Sequence, residues 1–300
     1  MARRWVWSIG AIVAVAIVVC GLGGIILCEA ALHPARRPVP PNPLARTVQV
    51  TASDGAILRG WMFTPDKPNG SAVLVLHGIA DSRASQSGLA GMFLEHGYTV
   101  LTPDSRAHGE SGGDIATYGL LEAGDVHRWV SWLIDDQNPG HVFGIGESLG
   151  GAVLIESLPI EPRFSAIVAD SSFASFKRIA LDRVAERLPV PLDVGRILAE
   201  PPVWAGFLYA RLRYGLDFRA ASPEAALARS TTPVLLIHGL NDRLTLPEHS
   251  KSLAASNRQW TELWLVPGAT HTGAFGAARP EFEDRVLGFF AAYQNLPSAR

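Results

Sequence analysis

The stretch VFGIGESLGG, residues 142–151, joins a short apolar run to the pattern Gly-x-Ser-x-Gly. The apolar run predicts a buried strand, and the small residues after Ser148 predict the start of a helix. A serine on a sharp strand-to-helix turn exposes its Oγ, and flanking glycines let the strand and the helix pack closely. The turn also places Ser148 at a helix N-terminus, where main-chain N–H groups favour developing negative charge. Because the same short pattern occurs in ordinary glycine-rich turns, the rest of the chain must decide between a catalytic and an incidental serine.

Composition limits the classes of function that the chain can have. It has 300 residues, a net charge of -2 and 48% hydrophobic residues, which suits one large domain with a deep core. The near-neutral charge gives no indication of a nucleic-acid partner. Both cysteines, Cys20 and Cys28, fall in an N-terminal apolar segment. The sequence after that segment therefore offers no disulfide, cysteine metal site or cysteine nucleophile.

The N-terminal segment has the length and composition of a membrane span. No charged residue occurs between Trp5 and Cys28, and about 20 apolar residues suffice for a helix to cross a bilayer core. Signal peptides that are cleaved have a shorter apolar region of about 7–15 residues, so residues 1–32 are predicted to form an uncleaved anchor. Arginines flank both ends of the segment, and we expect a cytoplasmic N-terminus with the folded domain outside the cytosol. Residues 33–46 are rich in proline and are predicted to form a stiff, extended linker.

Residues 47–300 alternate between strand-like and helix-like segments. An Asp54-Gly55 step between two β-rich runs predicts a hairpin. The next strand, Ala72–Leu76, is apolar throughout, as expected where helices cover both faces of a sheet. The alternation predicts an α/β fold with a mostly parallel central sheet and helices on both faces, in which ligands bind beyond the carboxyl ends of the strands. Further strands are predicted at 98–102, before Ser148, and at 166–169, 233–237 and 261–266, and a closing helix at 280–293.

The alternation stops between residues 173 and 229. This segment is rich in apolar residues for surface elements, and prolines interrupt it. We predict a helical cap, residues 173–229, inserted after a strand and folded over the carboxyl-end face of the sheet; the alternative is a set of ordinary crossover helices. The cap helices are predicted at 173–187, 194–199 and 203–213, separated by Pro189, Pro191 and the pair Pro201-Pro202.

Three polar residues follow three of the predicted strands. Ser148 follows the apolar run quoted above, Asp242 follows strand 233–237, and His271 follows strand 261–266 in a glycine-bearing loop. The carboxyl ends of parallel strands meet at one edge of a sheet, so these side chains are predicted to converge. A hydroxyl nucleophile needs a base within reach and a third group that orients the base. We therefore predict Ser148 as nucleophile, His271 as base and Asp242 as the orienting acid, in the chain order Ser-Asp-His.

Alternatives exist for each of these assignments. Asp242 is compatible with a simple turn-forming role, and His271 with a surface position. Asp170 follows the strand after the serine and is the rival acid, although it also suits the N-cap of the next helix. His238 and His108 are expected to pack or bond locally.

The oxyanion formed on acyl attack needs main-chain donors that are already in place. By position, one donor is the N–H of Leu149, directly after the nucleophile. The second is the N–H of Ile79, in the loop that follows strand Ala72–Leu76.

From Thr47 to its C-terminus, the chain resembles the α/β-hydrolase fold superfamily, and within it membrane-anchored serine hydrolases of the serine aminopeptidase-like or dienelactone hydrolase-like branch. Ala107 departs from the pattern, because many relatives have glycine there. The residues that carry the resemblance are His77-Gly78, Asp104-x-Arg106-x-His108-Gly109-x-Ser111, Gly146-Glu147-Ser148-Leu149-Gly150-Gly151, His238-Gly239-x-x-Asp242 and Gly268-x-x-His271.

The resemblance implies a serine hydrolase that forms an acyl-enzyme and uses no metal or organic cofactor. We expect it to cleave a carboxylic ester or thioester in a small-molecule or lipid-like acyl substrate, because the cap is apolar and the anchor places the enzyme beside lipid. Esterases, lipases, thioesterases, amidases and peptidases share the motifs, so a peptidase or amidase is the nearest alternative. An alternative from another class is a membrane-tethered binding module that keeps the fold without turnover.

Overall fold

The computed structural model describes residues 2–294, with side chains described for residues 14–294. The predicted start of the anchor near Trp5 and the last six residues therefore lie outside the described side chains. The strands are β1 (Arg46–Thr51), β2 (Ile57–Phe63), β3 (Ser71–Leu76), β4 (Thr99–Pro103), β5 (His141–Glu147), β6 (Phe164–Asp170), β7 (Val234–Gly239) and β8 (Thr261–Val266). The helices are α1 (Ala2–Leu32), α2 (Ser87–Glu95), α3 (Glu122–Gln137), α4 (Leu149–Ser157), α5 (Phe176–Ala185), α6 (Leu192–Tyr214), α7 (Pro223–Leu227), α8 (Glu248–Ser256), α9 (Ala274–Ala277) and α10 (Arg279–Gln294).

The chain forms two compact units. The sheet unit contains residues 34–175 and the described residues from 221 onward. The helical unit contains the described residues before 34 together with residues 176–220. The predicted cap helices therefore share a unit with the predicted anchor, whereas α7, at the end of the predicted cap, belongs to the sheet unit.

The sheet unit is built on eight strands in the order β1-β2-β4-β3-β5-β6-β7-β8. The pairs β1–β2 and β2–β4 are antiparallel, and every later pair is parallel. The predicted hairpin and the mostly parallel sheet are both confirmed. The strand order reverses between β3 and β5, and such reversals create a crevice beyond the carboxyl ends of the strands. Ser148 follows β5 and so stands at this crevice.

Helices cover both faces of the sheet, which explains why its central strands lack polar alternation. Every residue of β3 is buried, as expected for a strand with no solvated face. On one face, Phe143 of β5 stacks on Phe290 of α10 with a centroid distance of 4.4 Å, and Phe93 of α2 packs on the same ring. These aromatic contacts join the first and last helices of the sheet unit to its central strand.

The helical unit pairs α1 with α6. Among the described residues, α1 is the one helix long and apolar enough to cross a membrane, over Ala14–Leu32. The prediction of two helices separated by Pro201 and Pro202 is wrong, because α6 runs through both prolines without a break. Proline removes main-chain donors from a helix interior, but packing can override such a local preference. Here a Cβ on Gly24 would lie 2.3 Å from the carbonyl oxygen of Pro202, so α1 packs directly on the proline turn.

Candidate active site

Ser148 lies on a strained turn between β5 and α4. Its backbone has φ 53° and ψ -113°, a combination that non-glycine residues rarely adopt. The turn is fixed to the end of β6, because the Ser148 N–H donates to the carbonyl of Asp170 at 2.7 Å. A Cβ on Gly146 would lie 2.4 Å from the carbonyl carbon of Gly150, and one on Gly150 would lie 2.5 Å from the carbonyl oxygen of Leu76. The glycines of the motif are therefore required by close backbone approach, and the turn leaves Ser148 8% exposed.

The three side chains predicted to converge lie in one hydrogen-bonded line. The Nε2 atom of His271 is 3.0 Å from Ser148 Oγ. On the other side of the ring, the Nδ1 atom of His271 is 2.7 Å from Asp242 Oδ2. Asp242 follows β7 and His271 follows β8, so adjacent parallel strands deliver both residues to the edge where β5 ends. The arrangement can remove the hydroxyl proton of Ser148 and stabilise the resulting imidazolium.

Asp242 is held as a carboxylate by a set of donors. Its Oδ1 accepts hydrogen bonds from the N–H groups of Leu244 and Thr245, at 2.8 and 2.9 Å. Burial alone would raise the pKa of Asp242, but hydrogen bonds from His238 and His271 outweigh it and lower the pKa below its ordinary value. The residue therefore stays charged where a neighbouring imidazolium needs a counter-charge.

His238, expected to pack or bond locally, does bond locally and is a further functional candidate because Asp242 is one of its neighbours. It is fully buried, and its Nε2 lies 2.7 Å from the carbonyl of Thr245 and 3.2 Å from Asp242 Oδ2. Its Nδ1 lies 2.6 Å from Ser250 Oγ, which is placed to donate to that nitrogen. The Nε2 atom therefore faces two acceptors, the Thr245 carbonyl at the shorter distance and Asp242 Oδ2 at the longer one. The signal in the sequence is the spacing of four residues between His238 and Asp242, directly after a strand.

The predicted oxyanion donors lie beside Ser148. Leu149 is the first residue of α4, and the N–H of such a residue has no intrahelical partner. On the other side, a Cβ on Gly78 would lie 3.4 Å from the Cβ of Ser148, so the loop after β3 closely approaches the serine. Within the described part of the chain, the N–H of Ile79 in this loop donates no hydrogen bond to another group. The loop that carries Ile79 and the first residue of α4 thus both adjoin the serine.

Comparison with known proteins places these observations in a family. The family model described as "Alpha/beta hydrolase family" matches residues 73–285, which include all three residues of the hydrogen-bonded line. The chain belongs to the alpha/beta hydrolase family. Its predicted fold class is thereby confirmed.

Several relatives are similar to this alpha/beta hydrolase over most of their length. Rv2307c of Mycobacterium tuberculosis is 31% identical over 246 residues, covering 79% of this chain and 78% of the relative. YqkD of Bacillus subtilis is 27% identical over 244 residues, covering 80% of this chain and 77% of the relative. Among solved structures, the Pyrococcus furiosus esterase Pf2001 superposes with a TM-score of 0.71 at 24% identity, covering 88% of this chain and 100% of that one.

Asp170, the rival acid of this hydrolase, does not contact the imidazole. It is fully buried at the end of β6, where its Oδ1 accepts a hydrogen bond from Ser171 Oγ at 3.0 Å. Burial, followed by the nearby charge of Glu147, raises the pKa of Asp170 to about 7. Ser171 Oγ in turn accepts the N–H of Thr272 at 3.0 Å, in the loop that carries His271. Asp170 thus supports that loop through Ser171, and Asp242 alone of the two acids bonds His271.

Two buried histidines hold the loop of Ile79. His77 Nε2 accepts the N–H of Ser105, and His108 Nε2 accepts the N–H of Ala80, each at 3.0 Å. Their other nitrogens lie 2.7 Å from the Gly78 carbonyl and 2.8 Å from the Arg106 carbonyl, so each ring has one donor and one acceptor. Burial lowers the pKa of His77 to about 4 and also lowers that of His108. Both rings are therefore neutral structural links, as expected for His108.

The loop after β4 has a conformation that explains the departure at Ala107. Ala107 has φ 59°, so this position adopts the left-handed conformation in which glycine is less strained. Arg36, from the linker, binds three carbonyls of the same loop: those of Gly109, Ser111 and Gly113, the last at 2.7 Å. The linker is thereby fastened to the loop that holds His108.

Metal ligation is not suggested by the described side chains. Among residues 14–294, no group of three or more His, Cys, Asp or Glu is arranged to hold a metal ion.

Proposed function

We propose that the protein is a serine hydrolase that cleaves carboxylic ester or thioester bonds. Ser148 Oγ attacks the carbonyl carbon of the substrate while His271 Nε2 takes the hydroxyl proton. Asp242 orients the imidazole and stabilises its positive charge. The N–H groups of Ile79 and Leu149 bind the developing oxyanion. His271 then gives its proton to the leaving oxygen or sulfur, and a water molecule, deprotonated by the same histidine, releases the acid from Ser148.

The line from Asp242 through His271 to Ser148 is the observation that carries this proposal. Both links are of hydrogen-bond length, 2.7 and 3.0 Å. A nucleophile, its base and the group that orients the base therefore need no rearrangement to begin the reaction. The strained backbone of Ser148 supports the same proposal, because strain of this kind concentrates at functional positions.

Ester chemistry is favoured over amide chemistry by the leaving group. An alkoxide or thiolate needs less help from a general acid than an amine does, and proton donation here depends on His271. The Pyrococcus furiosus neighbour is named an esterase, and we extend that chemistry to this chain as part of the proposal. Peptide or amide cleavage by the same residues is the second candidate, because a Ser-His-Asp line serves both reactions.

Covalent labelling tests the nucleophile directly. A fluorophosphonate probe is expected to label the wild-type protein and not Ser148→Ala. Ser87→Ala, which changes an exposed serine at the start of α2, is the matched control and should label like wild type. Equal labelling of wild type and Ser148→Ala would refute the assignment. A wild-type protein that folds, yet neither labels nor turns over esters, would favour the non-catalytic binding module.

A substrate panel then separates the two chemistries. p-Nitrophenyl esters of graded acyl length and aminoacyl p-nitroanilides each release a coloured leaving group, so kcat/KM can be measured by absorbance for both and compared relative to the uncatalysed rate of each substrate. We expect the esters to be the better substrates and Ser148→Ala to abolish their hydrolysis. Higher kcat/KM on the anilides would replace the esterase proposal with a peptidase.

We also propose that α1 anchors the enzyme in a membrane with the sheet unit outside the cytosol. The apolar window Ala14–Leu32 supports the anchor. Alkaline carbonate extraction should leave the full-length chain in the membrane fraction, whereas a cleaved signal sequence would release a shortened protein. Protease added to spheroplasts should digest the sheet unit, and protection would place it on the cytoplasmic side.

A further inference from the structure

The helical unit contains a close crossing of α1 and α6. On α1, the buried residues Gly24, Cys28 and Leu32 are four residues apart and so form one stripe. A Cβ on Gly24 would lie 2.7 Å from the Gly206 nitrogen, and a Cβ on Gly206 would lie 2.8 Å from the Gly24 oxygen. The two backbones are therefore in direct contact, as in the small-residue crossings of membrane helices.

A polar link joins the two helices at the C-terminal end of α1. The hydroxyls of Tyr209 and Tyr214 both donate to Glu29 Oε1 at 2.7 Å. Glu29 is the one carboxylate of the candidate span Ala14–Leu32. Buried or membrane-facing carboxylates require such partners, and tyrosine hydroxyls are frequent at the membrane–water boundary. The link therefore marks the level at which α1 leaves the apolar layer.

One side of α6 is apolar and exposed. We call it the α6 stripe. At about 100° per residue, its members all fall on one side of the helix, within a sector of about 120°. Two of them, Ile197 and Leu212, are 71% and 78% exposed. The members of the stripe are Val194, Ile197, Leu198, Trp204, Leu208 and Leu212.

The charged residues of α6 do not interrupt this stripe. Arg196 pairs with Asp182, and Glu200 pairs with Lys177 at 3.1 Å, both across to α5. Asp193 stands at the helix start, while Arg211 and Arg213 occur in the last turn. An amphipathic helix with such a division of residues suits the boundary of a bilayer, where long cationic side chains reach the lipid phosphates.

We propose that the α6 stripe is inserted in the bilayer that holds α1. Gly24 lies five residues before Glu29, which is about 7.5 Å along the helix axis at 1.5 Å per residue. A membrane that takes up α1 as far as Glu29 therefore reaches the crossing with α6. The exposed apolar residues of α6 then meet acyl chains rather than water, so the predicted cap is a second membrane contact. This inference depends on the proposed anchoring by α1 and not on the proposed chemistry.

Spin labelling of the full-length chain in vesicles tests the inference. Labels are attached to Ile197→Cys, Leu212→Cys or the reference Val15→Cys in a background with Cys20→Ala and Cys28→Ala. Asp193→Cys is the control on the same helix, since the Asp193 side chain is 93% exposed and polar. The vesicles contain phosphatidylcholine and phosphatidylglycerol, and collisions with oxygen and with nickel-EDDA report lipid and water, respectively.

The expected result is a higher ratio of oxygen to nickel accessibility at positions 197 and 212 than at 193, with position 15 as the lipid standard. Nickel-accessible labels on α6 beside an oxygen-accessible label at position 15 would overturn the inference and leave the anchor standing. Protection of the α6 labels from both reagents would also overturn it, because a protein surface such as a second copy would then cover the stripe. A nickel-accessible label at position 15 would refute the anchor and the inference together, while ester hydrolysis would remain to be measured on its own.

A second measurement avoids the cysteine changes. Brominated lipids quench tryptophan fluorescence on contact, and Trp204 lies in the stripe. The quenched fraction of the wild-type protein should exceed that of Trp204→Phe in the same vesicles. Equal quenched fractions would contradict insertion of α6.

Discussion

The Nε2 atom of His238 lies 3.2 Å from Asp242 Oδ2, the same oxygen that lies 2.7 Å from His271 Nδ1. Two imidazoles thus share one carboxylate oxygen, one from the strand end of β7 and one from the loop after β8. His271 also reaches Ser148, whereas His238 is fully buried and bonds Ser250 and Thr245. His238 is therefore a positioning residue for the acid of the proposed triad.

Replacing His238 should impair catalysis through Asp242. His238→Phe removes a donor to the carboxylate and is expected to lower kcat/KM by about 10–100-fold, the effect of one hydrogen bond to a charged group. The pKa of Asp242 should rise towards its ordinary value, because one of the two side-chain hydrogen bonds that lower it is lost. Steady-state kinetics on one ester substrate test the loss of kcat/KM, with Ser250→Ala as the milder control. A kcat/KM equal to that of wild type would contradict the proposed role.

The two buried aspartates should respond very differently to the same substitution. Asp242→Asn should lower kcat by on the order of 10⁴-fold, because the amide favours the wrong tautomer of His271. Asp170→Asn should lower kcat by less than about tenfold, since Asp170 acts on the His271 loop only through Ser171. Steady-state kinetics on one ester substrate compares them. A larger loss in Asp170→Asn would exchange their roles.

Glu156 should make stability fall as the pH rises. Its carboxyl oxygens are buried in α4, and burial, assisted by the charge of Glu122, raises its pKa to about 9 from 4.5. Between these values the unfolded chain has released the proton and the folded chain has retained it. Each pH unit in this window therefore destabilises the wild type by up to about 1.4 kcal/mol relative to Glu156→Gln.

Denaturant unfolding of wild type and Glu156→Gln at a series of pH values measures this difference. The variant should gain stability over wild type from about pH 5 to pH 9, with little difference at pH 4. Glu262→Gln, at an exposed position of β8, is the matched control and should follow wild type. Parallel curves for wild type and Glu156→Gln would show that the carboxyl is ionised in the folded protein.

The linker should stabilise the sheet unit through Arg36. Arg36→Gln removes guanidinium donors from three carbonyls and should lower the free energy of unfolding by about 1–2 kcal/mol. The neighbouring Arg37 makes only a surface ion pair with Asp81 at 3.5 Å, so Arg37→Gln should change stability by less than about 1 kcal/mol. Thermal unfolding compares the pair. Equal losses of stability in Arg36→Gln and Arg37→Gln would show that the contacts of Arg36 with the three carbonyls do not stabilise the sheet unit.

Most of the sheet unit could be predicted because its signals are local. Strand β3 is apolar from Ala72 to Leu76, and the glycines around Ser148 indicate a tight turn in which a side chain would clash with neighbouring backbone. Parallel strands deliver their carboxyl ends to one edge, so Asp242 and His271 could be placed near Ser148 from their order alone. The roles of these residues remain a prediction.

The missed features depend on contacts between distant parts of the chain. Pro201 and Pro202 indicated a helix break by local chemistry, but the crossing with α1 at Gly24 supports an unbroken α6. The bonds of Glu29 with two tyrosines and of Arg36 with the loop after β4 join residues with no shared periodicity. The local bonding of His238 agrees with the expectation, but the sequence does not show that Asp242 is one of its neighbours, because a buried polar ring after a strand gives the same pattern whether or not it contacts an acid.

The direct contact of Gly24 with Gly206 has a consequence for biosynthesis. The ribosome delivers α1 long before it delivers α6, so under the proposed anchoring the N-terminal helix would enter the membrane without its partner and keep a vacant stripe until more than two-thirds of the chain is complete. A foreign transmembrane helix in place of α1 would still provide the proposed tether. A side chain at the position of Gly24 would, however, clash with the backbone of α6. We therefore expect that α1 cannot be replaced by an arbitrary transmembrane helix. Chimeras should retain residues 24–32 so that the helical unit can assemble.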